Sequence, residues 1–190
     1  MKKRCAWAEG KGELYEHYHD TEWGVPVFND QKLFEFIVLE SAQAGLSWQT
    51  ILNKREGYRK AFKNFDPKKV AKMTAAEQST LMQDKGIVRN RLKIAATITN
   101  AHAFLAIQKE FGSFSTYMWG WVQEKPVNAK RAKLSDVPAV TTLAEAMAKD
   151  LKTRGFKFLG PTVWYAHMQA VGMVNDHTTD CFRHKEIVAL

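Results

Sequence analysis

Apolar residues recur at helical spacing along most of this chain, and that periodicity limits its fold more than any other feature. The clearest stretches run from Asp30 to Ala44 and from Asn90 to Gln108, where apolar side chains fall three or four positions apart. Strict alternation of polar and apolar residues, which indicates a half-buried strand, is scarce. The sequence therefore predicts an all-α fold.

Polar residues mark where several of these helices begin. Thr74 with Glu77, and Thr142 with Glu145, each match the capping box, in which two side chains bond to free backbone N–H groups of the first turn. Ser47 is placed to cap a helix that begins at the next residue. These signals predict three separate helix starts.

Glycine and proline indicate further boundaries. Gly86 lies where a glycine would end the helix that follows the first capping box. A helix from Thr142 to Arg154 is expected, followed by one that begins at Pro161 and ends near Val171. Between Gln123 and Pro138 the apolar pattern fades, which predicts a loop.

Length and charge narrow the class of protein. The 190 residues fit one compact domain. Its 28 Lys and Arg against 20 Asp and Glu give a net charge of +8, which favours a polyanionic partner such as nucleic acid. No apolar run approaches the roughly 20 residues of a membrane span, and no signal-peptide stretch follows the basic N-terminus. We therefore expect a cytoplasmic protein with no membrane partner, and we take a monomer as the default.

The two cysteines lie near opposite ends of the chain. His177 and Cys181 are four residues apart, and on a helical turn their side chains would share one face and form a metal clip. Cys5 with either His17 or His19 would complete a Cys₂His₂ set, which suits a structural zinc ion. The same spacing also fits one buried and one surface thiol with no metal. A disulfide is disfavoured in the cytoplasm.

Three longer motifs follow one another along the chain. The first contains Arg4-Cys5-x-Trp7 and Tyr15-x-x-Tyr18-His19-Asp20-x-Glu22-Trp23-Gly24. The second is Leu39-Glu40-x-x-Gln43-Ala44-Gly45-Leu46-Ser47-Trp48. The third runs from Arg154-Gly155-Phe156-Lys157-Phe158-Leu159-Gly160 through Met168-Gln169-Ala170 to Val174-Asn175-Asp176-His177 and Cys181. With these motifs, nearly the whole chain resembles the DNA-3-methyladenine glycosylase I family.

The resemblance implies a helix-hairpin-helix glycosylase fold over residues 1–190, in one domain with two lobes around a base-binding cleft and a hairpin at about 142–172. It also implies one structural zinc ion that joins the N- and C-termini. The ligands carried over are Cys5, His19, His177 and Cys181. His19 is chosen over His17 because it is the histidine of the Tyr-His-Asp motif.

The family's activity implies a monofunctional enzyme that hydrolyses the N-glycosidic bond of 3-methyladenine in double-stranded DNA and begins base excision repair. The expectation extends to 3-methylguanine. Glu40 takes the catalytic and base-recognising role, and Trp48 stacks on the flipped base. The remaining base-binding residues are Trp7, Tyr15, Tyr18 and Trp23. By spacing alone, the tryptophans fit core packing and Glu40 fits a solvent-facing position.

Two glycine-containing segments are candidates for DNA contact. Gly155, Lys157 and Gly160 lie in a loop before a helix N-terminus, which suits phosphate binding and a monovalent cation. This loop departs from the more common Leu-Pro-Gly-Val-Gly hairpin. Gly45 and Leu46 precede the stacking tryptophan and are candidates for a wedge into the gap left by the flipped nucleotide.

Two other functions fit parts of the sequence. One is a non-catalytic, zinc-containing DNA-binding protein, which would need no closed pocket for a base. The other is a hydrolase with a catalytic zinc ion, which would need an open coordination position. The catalytic aspartate of related glycosylases has no clear counterpart, since its position corresponds to Asn175 or, with a shift, Asp176.

Overall fold

A computed structural model describes residues 2–190 of the chain, and most of them are helical. The helices are α1 Glu13–Thr21, α2 Asp30–Gln43, α3 Trp48–Ala61, α4 Pro67–Val70, α5 Ala75–Leu81, α6 Arg91–Phe111, α7 Phe114–Gly120, α8 Thr142–Thr153, α9 Pro161–Ala170 and α10 Phe182–Val188. Two short strands, β1 Val127–Asn128 and β2 Val174–Asn175, are also present. The predicted helical class is confirmed. Along the described residues, no helix combines the length and the apolar character that crossing a membrane requires.

Helix α2 forms the centre of the fold because nearly every side of it is apolar. All residues from Leu33 to Ala42 are buried, and the helix packs against α3, α6, α7 and α9. The Asn29 side chain accepts a hydrogen bond from the backbone N–H of Lys32 and caps the first turn. A buried charge on such a helix is costly unless it has a partner, which makes Glu40 exceptional.

Three of the predicted helix starts are confirmed. Ser47 accepts a hydrogen bond from the backbone N–H of Thr50 at the start of α3. Thr74 and Glu77 form the predicted capping box. Pro161 occupies the first turn of α9.

Two local predictions are wrong. Thr141, not Thr142, caps α8, and the backbone N–H it binds belongs to Ala144, so the expected box with Glu145 does not form. Helix α5 ends at Leu81, well before Gly86. Gly86 instead lies against α3, at a close backbone approach to Gly57.

Helices α8 and α9 pack against each other and are joined by a loop at 154–160. The predicted loop at 123–138 contains β1, whose Val127 and Asn128 pair in parallel with Val174 and Asn175 of β2. Close by, the backbone N–H of Phe182 donates to the carbonyl oxygen of Lys3 at 2.9 Å. The two ends of the chain therefore meet beside this strand pair.

Candidate active site and metal cluster

A cavity of about 250 Å³ opens where the N-terminal segment, α2, the start of α3, α9 and the segment after β2 come together. All six residues expected to bind the base line this cavity, namely Trp7, Tyr15, Tyr18, Trp23, Glu40 and Trp48. Sequence positions from 7 to 48 thus converge on one space, as an aromatic pocket for a flat ligand requires.

The aromatic rings around the cavity fix one another. The Trp7 ring lies edge-on to Tyr15 at 5.5 Å and to Trp23 at 4.9 Å between centroids. Tyr18 packs against Trp48 at 5.4 Å. Such pairs favour tilted and edge-to-face geometry, and their electron-rich faces attract cations. The wall of the cavity therefore suits a planar, positively charged ligand.

Glu40 is the one carboxyl group of α2 that faces this cavity. Its side chain is 4% exposed, and its Oε2 atom has no hydrogen-bond partner among the described residues. Burial raises the pKa of Glu40 to about 8. Burial, together with the nearby charge of Glu40, also raises the pKa of Tyr15 and Tyr18. An opposite charge placed in the cavity would stabilise the carboxylate form.

A second buried carboxylate also lines the cavity. Asp176 accepts hydrogen bonds from Arg131 Nε at 3.0 Å and Gln169 Nε2 at 2.8 Å, and from the Tyr165 hydroxyl. Burial and the bond to Asp176 raise the pKa of Tyr165, which keeps that hydroxyl protonated. Unlike Glu40, Asp176 therefore has its charge compensated by protein groups.

Sequence reasoning missed several lining residues, including Gln43, Leu134, Val137 and Gln169, whereas Asp176, which also lines the cavity, was considered only as a counterpart of the catalytic aspartate. A signal existed for Gln43, because it follows Glu40 by three positions on α2 and so shares its face. Leu134 and Val137 belong to the segment predicted as a loop, and nothing in their local pattern indicates a pocket.

Cys5, His19, His177 and Cys181 form a compact cluster, and all four are buried. Their candidate ligand atoms lie within 4.8 Å of one another. Of the two histidines left open by spacing, the structure brings His19 into the cluster, while the side chain of His17 is exposed. The cluster could hold a metal ion.

The separations within the cluster match what a small tetrahedral ion requires. The sulfur-to-nitrogen distances are 3.5 Å for Cys5 and His177, 3.5 Å for Cys181 and His19, and 3.6 Å for Cys181 and His177. Zinc bonds of about 2.3 Å to sulfur and 2.05 Å to nitrogen, at the tetrahedral angle, give a sulfur–nitrogen distance of about 3.6 Å.

Both histidines also have an outer partner that orients the ring. His19 Nδ1 lies 2.8 Å from an Asp20 carboxylate oxygen, and His177 Nε2 lies 3.0 Å from the carbonyl oxygen of Trp23. Such outer contacts fix the tautomer of a metal-binding imidazole. The predicted helical turn between His177 and Cys181 is wrong, because α10 begins only at Phe182. A tight turn brings the two side chains together instead.

The candidate wedge lies at the rim of the cavity. Gly45 and Leu46 occupy the turn between the lining residues Gln43 and Trp48. Gly45 has a φ of 77°, which favours glycine. The Leu46 side chain is 41% exposed.

The candidate phosphate-binding loop connects α8 and α9. Gly155 has a φ of 97°, and Phe158 has a φ of 56° in a region that side chains rarely adopt. Lys157 and Gly160 are exposed. Pro161 opens α9 without a side-chain cap, so the free N–H groups of that first turn are available to an anion.

Comparison with known proteins shows which protein family the chain belongs to. The family model described as methyladenine glycosylase matches residues 7–184. The chain is 50% identical to a DNA-3-methyladenine glycosylase of Haemophilus influenzae, covering 95% of this chain and 97% of the relative. It is 48% identical to DNA-3-methyladenine glycosylase 1 of Escherichia coli, covering 94% and 95%.

Solved structures agree with the sequence relatives. A crystal structure of a 3-methyladenine DNA glycosylase I has a TM-score of 0.91 and 48% identity, covering 95% of this chain and 98% of that one. A variant of a 3-methyladenine DNA glycosylase I in complex with 3-methyladenine has a TM-score of 0.91 and 41% identity, covering 94% and 96%.

Proposed function

We propose that the cavity over Glu40 is the active site of this enzyme. The chain belongs to the methyladenine glycosylase family and hydrolyses the N-glycosidic bond of 3-methyladenine in DNA. The observation that carries this assignment is a buried carboxyl group without a partner, facing an aromatic-lined cavity. A buried carboxyl group that no protein group pairs fits a ligand that supplies both a positive charge and a hydrogen-bond donor.

The chemistry needs little acid catalysis. A purine methylated at N3 carries a positive charge, so the electron pair of the breaking bond from the sugar C1′ to N9 moves into the ring and neutralises it. Water then adds to C1′ and loses a proton, which leaves an abasic site and free base. No lysine lines the cavity within the described part of the chain. This supports a monofunctional reaction with water as nucleophile and no strand cleavage.

In this assignment, Glu40 accepts a hydrogen bond from the amino group of the flipped base and stabilises its charge. Trp48 stacks on the ring, and Trp7, Tyr15, Tyr18 and Trp23 complete the aromatic wall. The carboxylate and the ring faces also favour the cationic sugar that develops as the bond breaks. We extend the substrate range to 3-methylguanine as a prediction, since stacking and charge do not depend on the amino group.

The duplex would bind across the rim of the cavity. We propose that α8, the loop at 154–160 and α9 form a helix-hairpin-helix motif, in which Gly155, Lys157 and Gly160 bind phosphate oxygens. A monovalent cation held by this loop remains a prediction. Gly45 and Leu46 would fill the gap left by the flipped nucleotide. In this arrangement residues 1–190 form one domain, with two lobes on either side of the cleft.

We propose zinc as the ion held by Cys5, His19, His177 and Cys181. Two thiolates and two imidazoles are a preferred zinc set, and four protein ligands leave no position for a reacting water. The ion would therefore stabilise the junction of the chain ends and take no part in the reaction.

Localisation and assembly follow from the same assignment. Because its substrate is DNA, we propose the cytoplasm as the compartment of the enzyme. One chain supplies every residue assigned to the pocket and to the cluster, so we propose a monomer. Gel filtration with light scattering, with and without duplex DNA, tests this.

The decisive assay is release of 3-methyladenine from methylated duplex DNA, with Glu40→Gln and Asp176→Asn compared with wild type. We expect release without nicking by the wild type and a loss of about 100-fold or more in Glu40→Gln. Asp176→Asn keeps only one acceptor oxygen for Arg131, Tyr165 and Gln169. Because protein groups already compensate the charge of Asp176, we nevertheless expect this variant to lose less activity than Glu40→Gln. Intact release in Glu40→Gln with none in Asp176→Asn would transfer the catalytic role to Asp176. Metal analysis of the same wild-type sample should give one zinc per chain.

A further inference from the structure

Helix α6 carries two polar side chains that bind the backbone of other segments. Lys93 Nζ donates to the carbonyl oxygens of Ala42 at 2.8 Å and Ala44 at 2.6 Å. Further along the helix, Asn100 Nδ2 donates to the carbonyl oxygen of Lys157 at 3.0 Å, and Asn100 Oδ1 accepts from the backbone N–H of Lys157 at 2.7 Å. Neither residue lines the cavity.

The Lys93 contact fixes the end of α2. The last carbonyl groups of a helix lack partners within it, and a positive charge is favourable there. Lys93 supplies both the donors and the charge. The chain then turns at Gly45 and exposes Leu46, so the lysine anchors the backbone from which this candidate wedge projects.

The Asn100 contact fixes the loop between α8 and α9. Asn100 is completely buried, and both ends of its amide bind the backbone of the single residue Lys157. The next residue, Phe158, has a φ of 56° and is 40% exposed. A strained conformation of this kind persists where the surrounding structure holds it, and here the anchor is one residue away.

The two anchors are seven residues apart on one continuous helix. Seven residues make almost two full turns, so both side chains leave the same face, separated by about 10 Å along the axis. Because a helix is stiff, its length between the anchors sets the spacing between the two exposed loops. A duplex contacted by both loops requires that spacing to match.

We propose that Lys93 and Asn100 are positioning residues that hold the Leu46 turn and the α8–α9 loop at the separation that duplex DNA requires. This inference rests on the proposed DNA-binding role of these two loops. It assigns α6 a task in substrate binding although none of its residues needs to contact DNA.

The test measures duplex binding and base binding separately. In Lys93→Met and Asn100→Ala we expect KM for methylated duplex to rise about tenfold, with kcat within about twofold. The affinity for free 3-methyladenine, followed by tryptophan fluorescence, should stay unchanged. Lys93→Arg keeps a charged donor and should recover most of the duplex affinity. Thr99→Ala is the matched control, since the Thr99 hydroxyl binds only the carbonyl of Ala95 within α6.

The combined variant distinguishes shared spacing from two local effects. If the loss of either anchor is enough to change the spacing, the double variant Lys93→Met with Asn100→Ala should raise duplex KM by less than the product of the two single effects. Unchanged duplex KM in the single variants, or a parallel loss of free-base affinity, would overturn the inference. Lys93 is only half-buried, so Lys93→Met should fold. It therefore tests the proposal even if Asn100→Ala does not fold.

Substitutions within the two loops distinguish a failure of the positioning role of α6 from a failure of the DNA-binding role of the loops. Leu46→Ala and Lys157→Ala should each raise duplex KM if the loops bind DNA. If they do and the α6 variants do not, only the positioning role is refuted. If neither loop variant changes duplex KM, the proposed DNA-binding role of the loops is itself wrong.

Discussion

Replacing Glu40 by glutamine should change how the stability of the folded protein depends on pH. In the folded chain, burial raises the pKa of Glu40 from the ordinary 4.5 to about 8. Between these two values the folded protein keeps a proton that the unfolded chain has lost. By linkage, the free energy of unfolding therefore decreases as pH rises from about 4.5 through about 8.

The size of the effect follows from the same pKa. Each tenfold change in the acid constant corresponds to about 1.4 kcal/mol, so the full rise corresponds to at most roughly 5 kcal/mol. Glutamine keeps the shape of the side chain and cannot ionise. Relative to wild type, Glu40→Gln should therefore gain several kcal/mol between pH 5 and pH 9, while losing activity.

Urea unfolding of both proteins at pH 5, 7 and 9 measures this difference. Other groups that titrate in the same range are common to both proteins and cancel in the comparison. Glu56→Gln is the matched control, because the Glu56 side chain is 73% exposed and should follow wild type at every pH. Stability curves of wild type and Glu40→Gln that stay parallel would refute the assignment of Glu40 as a buried carboxyl without a partner.

Three further predictions use other features of the structure. The kcat/KM for base release should rise with pH to a plateau above about 8. This ratio reports the free enzyme, in which the pKa of Glu40 is about 8, and the proposed role of Glu40 requires its ionised form. A flat profile in steady-state kinetics would contradict this. Gly57→Ala should lower thermal stability by about 1–3 kcal/mol or more, because its new Cβ would lie 2.1 Å from the carbonyl oxygen of Gly86. Removal of bound metal by a chelator, or Cys181→Ser, should lower the melting temperature while leaving most helical circular dichroism; an unchanged melting temperature would argue against a structural ion.

The sequence predicts the long helices well because their signals are local. The apolar faces of α2 and α6 and the box formed by Thr74 and Glu77 each depend on residues within a turn or two. The same locality explains the errors. Thr141 and Thr142 are adjacent and chemically equal as caps, so packing of α8 decides between them.

The parts that could not be predicted depend on contacts distant in sequence. Strand β1 forms because Val127 pairs with Val174, and the sequence around Val127 does not predict this pairing. His17 and His19 lie two positions apart on α1, which turns their side chains to nearly opposite faces. Only the face of α1 that also buries Tyr18 points toward the chain ends, and His19 lies on that face. Choosing His19 over His17 as a ligand therefore required either the fold or the family resemblance.

The cluster and the cavity share one wall, so the proposed structural ion would affect the reaction even though it takes no part in the chemistry. The rings of two cavity tryptophans pack on the two histidines, Trp7 on His19 at 5.2 Å and Trp23 on His177 at 4.5 Å between centroids. Cys5 belongs to the cluster and also lines the cavity. An ion that fixes these imidazoles therefore fixes the aromatic wall as well. In the proposed site, the junction of the chain ends would thus help to build the base-binding surface, because its rigidity would be transmitted directly to the rings that hold the cationic base.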